Sequence, residues 1–130
     1  MEQLTDQFQS TVKSMLILHQ SILDILSKGQ EASARVNRAV VKSVTTCGCN
    51  AINARKKPVP SEYSLSDLKE LLDSHLEGYI CSNCREVIEV ELGKQLFYIA
   101  ALCNALGLSL TEVIEHESEK LQTLTIFNLT

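Results

Sequence analysis

"YICSNCREVIEVELGKQLFY", Tyr79 to Tyr98, holds the decisive reading of this chain. A Cys-x-x-Cys pair, Cys81 and Cys84, stands at the start of a stretch that mixes carboxylates with bulky apolar residues and contains no proline. The pattern predicts a long helix from about Ser82 to Leu106, closed by Gly107. Cys84 then falls in the first turn, where the positive end of the helix macrodipole favours a thiolate. Further along, Leu96 to Leu102 is apolar on all sides, which implies burial against more neighbours than a short chain easily supplies and hence a homodimer.

Outward from this helix the punctuation is clear. Ser109 with Glu112 is a capping box that opens a last helix reaching about Leu124, and Ser64 with Asp67 opens an earlier one over "LSDLKELLDSHL", ended by Gly78. Pro58 and Pro60 cannot sit inside a helix, so a linker is expected near residues 55–63. In the N-terminal part, Leu4, Phe8, Val12, Met15, Leu18, Ile22 and Ile25 recur at helical steps as far as a Gly29 cap. A second helix follows from about Gln30, with Val36, Val40 and Val44 on one stripe, and bends or stops near Gly48. No strand is expected. The fold class is all-α: a single domain, residues 1–130, built as a bundle of about five helices.

A second cysteine pair, Cys47 and Cys49, lies 31 residues before the first with only Gly48 between its members. Short spacing lets both thiolates of a pair face one ion, and two such pairs complete a tetrahedral shell. The expectation is a four-cysteine zinc staple, Cys47, Cys49, Cys81 and Cys84, joining the end of the second helix to the start of the fourth. An iron–sulfur cluster is the alternative occupant. His75 is a substitute ligand six residues before Cys81, Cys103 reads as core, and His19 and His116 have no evident partner. The spacing also resembles the zinc switch of the redox-regulated heat-shock holdase family, in which oxidation ejects the metal, so a zinc–thiol redox sensor is a further reading.

Twelve Lys and Arg stand against sixteen Asp and Glu, a balance that disfavours a nucleic-acid binder. No apolar run reaches the ~20 residues needed to cross a bilayer. Glu2 and Asp6 stand where a secretory signal would be basic, so a cytoplasmic location and reduced thiols are expected. The segment Lys28 to Lys57 is locally cationic, with seven basic residues against Glu31 alone. In it Arg35, Arg38 and Lys42 are candidates for contact with phosphates of a nucleotide or with an acidic protein partner.

"VELGKQLFYIAALCNALGLSLTEVIE", Val90 to Glu115, resembles the third and fourth helices of the MazG-like all-α nucleoside triphosphate pyrophosphohydrolases. The resemblance implies an α-helical bundle and, in the family, carboxylates that hold magnesium, a hard cation needing oxygen ligands. Glu91 matches the first acid of the second carboxylate element, but Lys94 occupies the place of its aspartate, and no Glu-Glu dipeptide exists to begin the first element. The expectation is therefore a non-catalytic member with a structural zinc site, acting through protein or nucleotide binding. The alternative is an active magnesium-dependent pyrophosphohydrolase with a rearranged site drawn from Glu86, Glu89 and Glu91, or an improvised cluster of Asp67, Glu70, Asp73 and Glu77.

Overall fold

A computed structural model describes residues 2–124. It is mostly helical, with α1 (Glu2–Met15), α2 (Ile22–Lys42), a π-helical turn (Ser43–Cys47), β1 (Asn50–Ile52), α3 (Leu65–Leu71), β2 (Leu76–Gly78), α4 (Ser82–Leu106) and α5 (Leu110–Thr123). No single helix among the described residues is long and apolar enough to cross a membrane.

The N-terminal region departs from the expected pair of helices. The chain breaks between Met15 and Ile22, where Ser21 adopts extended backbone and its side chain accepts from the Leu23 N–H, a new N-cap. α2 then runs unbroken through Gly29, which caps nothing. Its place has a packing reason: a Cβ built there would lie 4.0 Å from the Cβ of Tyr98, so α2 and α4 approach closely at that point. Apolar periodicity continues across Leu18 and Ile22 and hides the break, because the same spacing serves two helices as well as one.

α2 and α4 pack lengthwise and antiparallel, forming a long hairpin that is the most extensive packing between any two elements. Its open end is closed by α1 and α5. There Val12, Ile25, Ala100, Ala101, Cys103 and Leu110 are buried together, with Phe8, Leu16, Phe97 and Leu102 packed around them. The alanines let helix backbones approach, and Cys103 is the core residue its setting suggested. Gln9 ties this end: its side chain donates to Asn104 Oδ1 (3.0 Å) and to the Leu108 carbonyl (2.7 Å), and accepts from the Leu110 N–H (2.8 Å). That last bond satisfies an otherwise orphan donor at the start of α5. The Thr111 hydroxyl adds a bond to Asp6 Oδ1 at 2.6 Å.

At the other end the structure adds two short strands. β1 and β2 pair antiparallel, Asn50 opposite Gly78 and Ile52 opposite Leu76, so the segment expected to finish a helix at Gly78 is extended instead. α3 keeps the capping box of Ser64 and Asp67 but stops at Leu71, where Leu72 turns to extended backbone ahead of β2. Three-residue strands leave no alternation for a sequence pattern to register. The proline segment between β1 and α3 has no regular structure, as Pro58 and Pro60 require. α4 spans Ser82–Leu106 and ends on Gly107 in the left-handed region, as its pattern dictates. Ser109 opens α5 by accepting from the Glu112 N–H.

Candidate metal centre

The four paired cysteines converge. Their sulfurs all lie within 4.8 Å of one another, and Cys47 Sγ is 3.8 Å from Cys81 Sγ. Four sulfurs ~2.3 Å from a central zinc define a tetrahedron with edges of about 3.8 Å, so the spacing suits a single ion. His75 is not among them. It sits at positive φ with Nδ1 3.4 Å from Asp73 Oδ1, and its backbone N–H also bonds that oxygen.

Each pair is placed by a local backbone device. At the end of α2 the ladder widens to π spacing, and the Gly48 N–H reaches the Ser43 carbonyl at 2.9 Å. Gly48 then turns at φ 75°, a conformation cheap only for glycine, and leads the chain into β1. Cys47 and Cys49 thus flank a reversal. On the facing segment Cys81 is the N-cap of α4, its sulfur accepting the Cys84 N–H at 3.4 Å. The β1–β2 ladder stands beside both pairs, its Asn50 directly after Cys49 and its Gly78 three residues before Cys81.

A set of donors serves the sulfurs. Buried Asn50 gives its amide to Cys49 Sγ (3.4 Å) and to the hydroxyl of buried Ser43 (3.1 Å). The Ser43 hydroxyl in turn donates to the Val40 carbonyl at 2.6 Å. This chain orients the Cys49 knuckle as outer-shell partners orient metal ligands elsewhere. Sequence reasoning passed over Asn50 and Ser43; the signal for the first is an amide directly after a Cys-x-Cys pair.

The thiols divide electrostatically. The Cys81 N–H, followed by the Asn50 amide, pulls Cys49 down to about 6, and the Cys84 N–H pulls Cys81 below the usual thiol range. Cys84 is pushed up to about 12 by sharing a proton with Cys81, then by burial. At Cys47 the Cys84 thiol acts downward, but Cys81 and Cys49 outweigh it and the net shift is upward. Four sulfurs this close cannot all ionise unless a cation joins them, because like charges at such separations disfavour each other. Cys47 is exposed and the other three are partly buried, which leaves an entry path.

The carboxylates do not assemble in the same way. Among the described residues the four cysteines are the one group of His, Cys, Asp or Glu whose ligand atoms converge. Glu86 and Glu89 are exposed on α4. Glu91 pairs with Lys94 at 3.4 Å and lines a hollow of about 190 Å³ with Arg35, Arg38 and Lys42. Those cations repel a magnesium ion. Asp67 is used in its cap, while Asp73 is held by Lys57 Nζ at 2.7 Å, which keeps its carboxyl below the usual range. Glu77 accepts from Asn53, and Glu70 is exposed. His19, expected to stand alone, lies 3.5 Å from Asp24.

No protein-family model matches the chain, and neither a curated protein nor a solved structure was found similar to it.

Proposed function

We propose that the chain is a non-catalytic helical scaffold of MazG-like descent whose hairpin is stapled by one structural zinc ion, and that it acts through protein contacts. The convergence of four sulfurs within 4.8 Å carries this reading. Zinc is favoured over iron–sulfur because a cluster sets its cysteines on separate irons and spreads their sulfurs further apart than one ion does. Zinc also needs no redox partner and accepts a closed four-thiolate shell as a structural site. The cations around Glu91 count against the magnesium chemistry of the resembled family, and Lys94 competes for the same carboxylate. The test is elemental analysis of the purified chain. About one zinc per chain, lost in a Cys47→Ser, Cys81→Ser double variant, supports the proposal; stoichiometric iron with sulfide, or no metal under reducing purification, refutes it.

One observation favours a redox role for the same site. Cys47 is exposed and its sulfur is 3.8 Å from that of Cys81, so an oxidant reaches a pair that needs little movement to bond. Zinc release by peroxide that dithiothreitol reverses marks a switch; metal retained under oxidant marks a purely structural staple.

A further inference from the structure

Three hollows follow one another along the charged side of the α2–α4 hairpin, and each shares lining residues with the next. The first holds Lys28, Glu31 and Lys94 and meets the second at Arg35. The second, of about 190 Å³, and the third, of about 250 Å³, share Ala39, Lys42 and Val87, and the third reaches Cys47 and Cys84. A continuous trough therefore runs from the cations of α2 to two of the four sulfurs. The charges along it are not equivalent. Lys28 and Arg35 both reach Glu31, and Lys94 reaches Glu91. Arg38 and Lys42 enter no ion pair among the described residues. These two also stand nearest the sulfurs: Lys42 lies five residues before Cys47, ~7 Å along the helix, and Arg38 about one turn further back.

Cations without an acidic partner attract anions, while sulfurs at the end of the same trough select a soft donor or a metal. A phosphate or a bare carboxylate gains at Arg38 and Lys42 but is repelled by thiolates at the other end. A thiol that carries carboxylates gains at both. We infer that the trough receives a small anionic thiol, its carboxylates against Arg38 and Lys42 and its sulfur at Cys47, and that this thiol exchanges the metal of the four-cysteine centre. A ligand of tripeptide length, ~10 Å when extended, covers the distance with the reach of the two long side chains. The inference rests on the zinc reading and names the ligand that regulates that site. Cys47 is the exposed member of the four and the other three are partly buried, so its bond is the one an incoming sulfur reaches. The exchange moves no electrons. The thiol gives its proton to solvent and bonds the zinc as the bond from zinc to the Cys47 sulfur breaks; Cys47 takes up a proton, and the charge of the centre is unchanged. Held by three protein thiolates instead of a closed shell of four, the ion is open to transfer to a second chelator.

The test uses the full chain, its zinc content measured first, under anaerobic conditions. Zinc transfer to a chromophoric chelator is followed with reduced glutathione as the probe and, separately, with its dimethyl ester, which keeps the thiol and lacks the carboxylates. The readout is the ratio of the two rates, because a centre that is merely loosened speeds both probes alike. Two charge-assisted contacts lead to an expected ratio of about ten in favour of glutathione. The chain as a whole carries a net charge of −4, which by itself favours the cationic ester, so a ratio above one reports the local site. An Arg38→Gln, Lys42→Gln variant is expected to bring the ratio to about one, while Lys13→Gln with Lys120→Gln, on α1 and α5, leaves it near ten. Equal rates with the two probes in the unaltered chain overturn the inference, as does a ratio that survives in the Arg38, Lys42 variant. A chain purified without zinc refutes the staple and the exchange together; a zinc-loaded chain that treats both probes alike refutes the exchange alone.

Discussion

Withdrawing the metal should cost the protein a definite amount of stability. The proposed staple would join Cys47 to Cys81, 34 residues apart, and so would act on the unfolded chain as a cross-link closing a loop of that size. The loop-entropy relation for such a cross-link gives about 4 kcal/mol at room temperature. With an unfolding entropy of ~2.1 cal/mol/K per residue over 130 residues, that corresponds to a fall of about 14 °C in Tm. Zinc binding to thiols in the unfolded chain would reduce the figure, so it is an upper value. The measurement is a circular-dichroism melt of the zinc-loaded chain against the same sample after dialysis with a strong chelator and reductant, with metal content determined in both. A shift under about 3 °C after verified removal would mean that the sulfurs are already held together by the β1–β2 ladder and the helix ends. The staple would then contribute nothing to closing the fold.

Zinc affinity should depend steeply on pH, because every ligand still protonated costs about tenfold per unit. Near neutrality Cys49, at about 6, has already ionised, while Cys84, at about 12, has not. With Cys47 also held upward, affinity should rise at least about 100-fold per unit through pH 7–8 and more steeply below 6, where Cys49 regains its proton. Chelator competition at four pH values checks this, and a flat profile refutes the donor arrangement. Two glycine substitutions should act with opposite sign. Gly48→Ala meets nothing within 4 Å, so its cost is the left-handed backbone alone, ~1 kcal/mol or about 4 °C. Gly93→Ala, also in open space but inside α4, should raise Tm by a similar amount through helix propensity; two melts of equal sign would contradict the backbone assignments.

What could be read before the fold was known follows from how local each signal is. Ser64, Ser109 and Gly107 mark helix ends through bonds within one turn, so their positions in the sequence sufficed. The cysteine pairs were equally legible, since two short spacings leave few other uses for four thiols. Ser21 carried a cap signal too, but the apolar spacing on either side of it belongs to one continuous pattern. Only the packing of α1 against α4 and α5, through Gln9 and Asp6, shows that two helices share it. Gly29 was legible as a stop and acts as a contact, because its role depends on Tyr98 in a distant helix. The strands β1 and β2 exist through each other and have no pattern of their own. The acids of α4 read as a weakened catalytic set; Arg35, Arg38 and Lys42, brought over by α2, decide the environment of Glu91.

The hairpin is fastened at two places ~30 Å apart, the length of α2, by unrelated chemistry. One fastening is oily and answers to temperature and denaturant; the other is a cluster of four sulfurs, which on the proposed reading answers to zinc supply. On the proposed zinc reading, metal starvation would loosen one extremity while the opposite one keeps its grip, so the tips of α2 and α4 would splay at the cysteine end alone.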